Sequence, residues 1–246
     1  MPTIYLSPST QEFNPYVNGG NEEYYMNLIA DAMIPYLDAS GISYVRNTPD
    51  MTAASSIRAS NAGNYDFHLA LHSNAVGSAQ AGSATGSQVY YYPNSQNSTR
   101  AAEIFANNLK LIYPDPSKVV TVPTTTLGEV VRTRAPAVLI EYAFHDNVQD
   151  ANWIKNNINA IAENTVASLA DYFGIPFVIP GNARQGRVVT QGSNLNIRSG
   201  PGTNNTVVGS IPNGATVQIY SQTPGWYAVG YNGLTGYSSS QYITLI

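Results

Sequence analysis

The chain has no cysteine among its 246 residues. That excludes a disulfide framework, a thiolate metal site and a cysteine nucleophile. Charge is also scarce: Asp, Glu, Lys and Arg make up 11% of the chain, against about a quarter in an average soluble domain. Asn, Ser, Thr and Tyr fill the gap, giving a polar, weakly charged surface suited to work outside the crowded cytosol. No apolar run approaches the roughly 18 residues that would span a bilayer, so no membrane insertion is expected. The formal net charge is −4, and no nucleic-acid partner is expected. The opening residues, MPTIYLSPST, carry neither a basic leader nor an apolar stretch of signal-peptide length. Export, if it occurs, is therefore expected to use another route.

One further absence is local. All 15 Asp and Glu residues lie between Glu12 and Asp171. The segment after Asp171 holds Arg184, Arg187 and Arg198 and no acid. A cationic tail behind an anionic body implies two parts with different partners.

The first 175 residues alternate strand and helix patterns. Thr3 to Leu6 reads as a strand. A helix follows from Asn21 to about Ala39, with Met26, Ile29, Ala30, Met33 and Leu37 at helical spacing, Asn21 as N-cap and Gly41 as the stop. Pro35 falls inside it as a potential kink. Ser43 to Arg46 reads as a strand, Met51 to Asn61 as a helix, and Tyr65 to His72 as a strand. A small-residue loop, AVGSAQAGSATGS, comes next, of the kind that lies over a site. QVYYY is a strand, Ser98 to Ile112 a helix, AVLIEYAF a strand and Asp150 to Phe173 a long helix. Such alternation predicts an α/β fold, a mostly parallel sheet with helices on both faces. GIPFVIPGNARQG reads as a linker, residues 176–185. Short β-rich runs punctuated by Pro-Gly and Asn-Gly turns then predict a small all-β barrel over 186–246.

In an open parallel sheet, ligands bind beyond the carboxyl ends of the strands. The first strand runs into SPSTQ, the central one delivers His72, Ser73 and Asn74, and a later one delivers Glu141 after four apolar residues. Glu22 opens the first long helix, where it also suits the helix dipole. One imidazole and two carboxylates on one rim suit a hydrolytic zinc site, with nitrogen and oxygen ligands and a free carboxylate for proton transfer. Of the other histidines, His68 lies about 13 Å from His72 along the strand, too far to share a metal, and reads as a core or interface residue. His145 reads either as a cleft donor or as a solvated loop residue.

These same segments carry a resemblance. LHSNA, PAVLIEYAFHDN with its following helix, and NEEYYMNLIADAM resemble the zinc-dependent N-acetylmuramoyl-L-alanine amidases of bacterial and phage cell-wall lysis, over roughly residues 3–175. His72 with Asn74, and Glu141 with Phe144 and Asn147, match the family's His-x-Asn and Glu-x-x-Phe-x-x-Asn elements. Where the family has Gly-His-Gly, this chain reads Ser9-Thr10-Gln11. The tail, through LNIRSGPG and GWYAVGYNGLTGY, resembles a bacterial SH3-like wall-binding domain.

The resemblance implies a peptidoglycan hydrolase acting at the cell wall on the bond between N-acetylmuramic acid and L-alanine. Zinc would be held by His72 and Glu22, with Glu23 as the alternative acid, and the third position by Gln11, Thr10 or water. Glu141 would be the general base, and Asn74, His145 and Asn147 would meet substrate. With no leader, the arrangement suits a phage or prophage endolysin, or an autolysin exported by a non-classical route. Two other readings compete: an inactive wall-binding protein that has lost its first zinc ligand, and a glycosidase using Glu141 and Asp146. New amino groups, new reducing ends or neither would separate the three.

Overall fold

The computed structural model describes residues 1–181 and 184–246. The chain divides into two compact units, one of residues 1–34 and 42–168, the other of 35–41 and 169–246. Asn182 and Ala183, which fall within the expected linker, lie outside the described residues.

The first unit is built on a six-stranded sheet. Its strands are β1 (Thr3–Pro8), β2 (Ser43–Arg46), β3 (Phe67–Asn74), β4 (Ser87–Tyr91), β5 (Val119–Pro123) and β6 (Ala137–Phe144). They lie in the order β2-β1-β3-β6-β4-β5, and every pairing is parallel except β4 with β6. The helices are α1 (Glu22–Ala39), α2 (Ala53–Ala62), α3 (Gln96–Leu109), the single-turn α4 (Gly128–Val131), α5 (Val148–Asn156) and α6 (Ile158–Phe173).

Strands β3 and β6 are the centre of the sheet, and the alternation of their side chains explains both faces. Phe67, Leu69 and Leu71 point one way, where Phe105 of α3 stacks on Phe67 with ring centroids 6.1 Å apart. His68, Ala70 and His72 point the other way, alongside Leu139 and Glu141 of the paired strand. On that second face Val130 of α4 packs into a cluster with Ala70 and Leu139. Both faces are thus covered, which is why the two strands are buried almost throughout.

Local chemistry sets the element ends. Asn21 caps α1, its Oδ1 accepting from Tyr24 N at 2.8 Å, and Gly41 takes φ 70°, the left-handed conformation that stops a helix. Thr52 forms a capping box with Ser55 at the start of α2. Pro35 lies inside α1 without ending it. Several element bounds shift by two or three residues from the sequence-based expectation, and the larger differences concern the site and its surroundings. Strand β3 runs on through Asn74, because its pairing with β6 continues beyond His72 across a register shift. The expected long helix from Asp150 starts two residues earlier, where Asn147 accepts from Gln149 N and Asp150 N. It is broken at Asn157 into α5 and α6. Strand β5 and helix α4 were not expected at all.

The second unit is dominated by a seven-stranded antiparallel sheet. Strands β7 (Arg184–Val188), β8 (Leu195–Arg198), β9 (Val207–Ile211), β10 (Thr216–Thr223), β11 (Trp226–Tyr231), β12 (Leu234–Ser239) and β13 (Ile243–Leu245) take the order β13-β7-β10-β11-β12-β8-β9. Leu195, Ile197, Ile211, Val217, Ile219, Tyr227, Val229 and Ile243 form its core with Val188. The Asn232-Gly233 turn, with φ 49° and 78°, joins β11 to β12 as a two-residue hairpin of the twist that flanking strands prefer. Arg198 of the LNIRSGPG segment donates to Thr203 O and Asn205 O at 3.0 and 2.8 Å, pinning the loop that follows. In the same unit Phe177 stacks on Tyr36, and Val178 N donates to Ser40 Oγ at 3.0 Å.

Candidate active site

The chemistry gathers at the carboxyl ends of β1, β3 and β6. His72 sits on β3 directly opposite Glu141 in the register with β6. Both side chains leave the sheet on the face that α4 covers. The start of α1 brings in Glu22, whose Oε1 lies 2.8 Å from His72 Nδ1. Gln11, in the loop after β1, places its Nε2 3.4 Å from the same nitrogen. Asn14 ties the two together, donating to Gln11 Oε1 at 3.1 Å and to Glu22 Oε2 at 2.6 Å.

The other imidazole nitrogen meets a residue that sequence reasoning missed. His72 Nε2 lies 3.2 Å from Oε2 of Glu129, on α4. Glu129 Oε1 lies 3.3 Å from His68 Nε2, and accepts from Ser7 Oγ. His68 Nδ1 in turn lies 3.0 Å from Ser60 Oγ, and the His68 ring stacks on Tyr5. His68 is therefore a core residue, as expected, but one joined to His72 through a shared carboxylate. A separation of four residues along a strand is too long for one metal ion and suits one bridging Glu. The only sequence signal for Glu129 was an acid within four residues of Val130, Val131 and Leu127, in a stretch too short to show helical periodicity.

Burial and pairing set the charge states. Burial would lower the pKa of His72, but its contacts with Glu129 and Glu22 raise it well above the ordinary imidazole value. Burial would likewise raise Glu129, yet hydrogen bonds from His68 and His72 hold it well below the usual carboxylate range. Glu22 is held low in the same way, by the His72 hydrogen bond and charge and by Asn14, against the effect of burial. In this state His72 is an imidazolium between two carboxylates.

Glu141 behaves differently. Its Oε2 is enclosed and has no hydrogen-bond partner. Burial, aided by the nearby Glu22 charge and opposed by His72, pushes its carboxyl up to about 7. A carboxyl with that affinity for protons, beside a cluster of opposite character, is suited to exchanging a proton near neutral pH.

The three remaining expected site residues lie in the same unit, and none of them lines the cleft beside His72. Asn74 donates to Gln88 Oε1 at 3.0 Å, next to the register position of Glu141. His145 is buried, stacked on Tyr16, with its Nδ1 2.8 Å from Ser73 O. Asn147 caps α5 and donates to Gly82 O at 2.9 Å, holding the small-residue loop. His145 is thus no solvated loop residue. Asp146 Oδ2 accepts from Val76 N and Gly82 N and ties the same loop from the other side.

A cleft of about 780 Å³ opens beside the cluster, lined by Thr10, Gln11, Phe13, Asp50, His72 and Glu129 among others. Glu23 also lines it, whereas Glu22 is the acid that reaches His72.

No group of three His, Cys, Asp or Glu side chains among the described residues is arranged to hold a metal ion. The donor set nevertheless fits zinc once the amide of Gln11 is counted. Nδ1 of His72, Oε1 of Glu22 and the Gln11 amide face one another, and the amide can present either its oxygen or its nitrogen. The unpartnered Oε2 of Glu141 supplies an enclosed acceptor close by. His72 and Glu22 supply an imidazole and a carboxylate of the kinds that zinc takes, and the Gln11 amide completes the set only with its oxygen, held here by Asn14, turned toward them.

Comparisons with known proteins agree with this architecture. Residues 11–171 match the family model described as N-acetylmuramoyl-L-alanine amidase, and residues 193–244 match that of the bacterial SH3 domain. YrvJ of Bacillus subtilis (strain 168) is 37% identical over 57 residues, which cover 23% of this chain and 11% of that protein. The chain thus spans only a small part of the length of this curated relative. Among solved structures, the N-acetylmuramoyl-L-alanine amidase AmiC2 of Nostoc punctiforme superposes with a TM-score of 0.60 at 15% identity, covering 70% of this chain and 96% of that one. The catalytic domain of CD27L endolysin targeting Clostridia Difficile gives 0.57 at 20% identity, covering 70% and 98%. These likenesses concern the fold. No described helix is long and apolar enough to cross a membrane. With the amidase model spanning well over half of its residues, the chain belongs to the N-acetylmuramoyl-L-alanine amidase family and carries a bacterial SH3 domain behind the amidase region.

Proposed function

We propose that the protein is a peptidoglycan amidase, cleaving the bond between the lactyl group of N-acetylmuramic acid and L-alanine of the stem peptide. The observation that carries this reading is Glu141: a carboxyl with an enclosed, unpartnered oxygen, set opposite His72 and pushed up to about 7. An apolar residue would be the cheaper occupant of that position if only stability were at stake.

In this mechanism His72 through Nδ1, Glu22 and Gln11 would hold zinc, which would supply Lewis acidity to the scissile carbonyl and the attacking water. Glu141 takes a proton from the attacking water and delivers it to the amine of L-alanine as the C–N bond breaks. Asn14 fixes the orientation of Glu22 and Gln11. His145 and Asn147 hold the segments around the site through Ser73 and Gly82, and Asn74 does so through Gln88. No covalent intermediate is required, in keeping with the lack of cysteine.

Residues 184–246 serve as the wall-binding domain: Arg184 and Gln185, read from the sequence as linker, pair in β7 with β10. A groove of about 700 Å³ on this domain is lined by Trp226, Arg198, Asn196, Gln191, Gln241 and Tyr242 among others. It offers a cation, amides and aromatic surface to wall polymers. Action at the cell wall, as a phage-type lysin or an autolysin, follows from the pairing of these two parts.

The decisive experiment is product analysis after digestion of purified walls. New amino groups without new reducing ends support the amidase. Reducing ends would indicate a glycosidase, and neither product, with walls still bound, a binding protein.

A further inference from the structure

Glu129 has no part in the mechanism so far, yet it is 5% exposed and lies between two imidazoles. A carboxylate is costly to bury, and a well-packed apolar side chain is often at least as stabilising as a buried ionic pair. Here the acid is satisfied on both oxygens. Oε1 meets His68 Nε2 and Ser7 Oγ, and Oε2 meets His72 Nε2. His68 is itself held by Ser60 and by its stack on Tyr5. Ser7 Oγ also accepts from Asn47 Nδ2 at 3.3 Å. The carboxylate is therefore fixed from several sides, and of the two imidazoles on it His72 is the one that lines the cleft.

We infer that Glu129 is a positioning residue that sets which nitrogen of His72 binds the metal. By keeping the proton on Nε2, it makes Nδ1, which faces Glu22 and Gln11, the nitrogen that gives up its proton to a metal. It also fixes the ring plane, and His68 with Ser60 holds Glu129 in turn. This role rests on the zinc reading proposed above. Carboxylates that hold the second nitrogen of a metal-binding histidine raise its basicity and lock its tautomer, and losing one typically weakens metal binding about 10- to 100-fold.

The arrangement needs a carboxylate in particular. An amide has one accepting oxygen, so Glu129→Gln could accept from His68 or from His72 and would turn its NH2 toward the other. If it faces His72 with the NH2, it favours the tautomer with the lone pair on Nε2, the wrong nitrogen.

The test is zinc titration of the metal-stripped full chain, with NMR of the His72 ring nitrogens in the metal-loaded wild type. The expected results are zinc uptake by the wild type, metal on Nδ1 with a proton on Nε2, and a 10- to 100-fold weaker affinity in Glu129→Gln. Glu129→Asp, which keeps both acceptor oxygens, should recover part of the loss. If the wild type takes up no zinc, the metal reading fails and this role fails with it. If the wild type binds zinc through Nε2, or Glu129→Gln folds and binds as tightly as the wild type, the role alone is overturned. Should Glu129→Gln not fold, the ring-nitrogen assignment in the wild type still decides the question.

Discussion

The two units handle polar side chains in opposite ways. In the first, Glu22, His68, His72, Glu129, His145 and Asp150 are all buried, and each is hydrogen-bonded. In the barrel, Ser238 is the only buried polar side chain among the described residues, and the core is aliphatic with Tyr227. Buried polar groups must be matched partner by partner, so the first unit spends its sequence on specific pairs. The barrel spends its own on turns and alternation. Chemistry that depends on shifted proton affinities is possible inside the first unit and not inside the barrel, whose interactions must be made at its surface.

The sharpest way to break this contrast is to remove one polar group from each side. Glu141→Gln should lower the amidase rate by about 10² to 10⁴ while leaving metal content unchanged, as read by metal analysis and release of amino groups. Loss of the metal would instead make Glu141 a ligand. His72→Ala should eliminate zinc binding, and Thr10→His, at the cleft wall, should tighten it, since an imidazole replaces a poor hydroxyl ligand. Both are read by titration of the metal-stripped protein.

A smaller effect concerns stability in the metal-free protein. Glu141 binds its proton more tightly in the fold, with a pKa of about 7 against 4.5 ordinarily. Between those values the folded state holds more protons than the unfolded one, so this group's contribution falls as pH rises. Glu141→Gln lacks that loss. From pH 4 to pH 8 the variant should therefore gain on the wild type by up to about 3 kcal/mol, measured by urea denaturation in chelator. A constant difference across that range would show that Glu141 does not titrate as described.

In the barrel the corresponding perturbation is conformational. Gly233 has φ 78°, and a Cβ there would meet no atom within 4 Å. Gly233→Ala should therefore cost only the left-handed backbone penalty, about 1 kcal/mol, in denaturation of residues 184–246. Wall binding by that fragment in a pull-down should persist. Failure to bind any of several wall types would remove its proposed role.

Much of this contrast could be read in the sequence, and what could be read was local. Strand β6 spans the residues of AVLIEYAF, because a continuous apolar run with β-branched residues suits a strand covered on both faces. Helix α1 begins after the expected cap, because Asn21 satisfies a backbone N–H that helix geometry leaves free. The barrel's turns followed from Asn-Gly and Pro-Gly pairs. Glu22, His72 and Glu141 stood out because Glu22 opens a helix and the other two are polar residues following apolar strand runs, and the fold brings Glu22 onto His72 and Glu141 opposite it.

Sequence alone therefore determined the alternation of elements, the two-part organisation and the residue types at the strand ends. Only the tertiary structure decided which of those residues meet. Glu129 is 57 residues from His72 and 61 from His68, and it reaches them because one short turn packs Val130 against Ala70 and Leu139. Its apolar neighbours Leu127, Val130 and Val131 are its only local mark, in a stretch too short to show helical periodicity. Asn14 likewise reads as a loop residue until it is seen gripping Glu22 and Gln11. Local propensity acts over a few residues, whereas a buried polar network is closed by long-range packing. Its members therefore become identifiable only when the sheet and the helices that cover it are assembled.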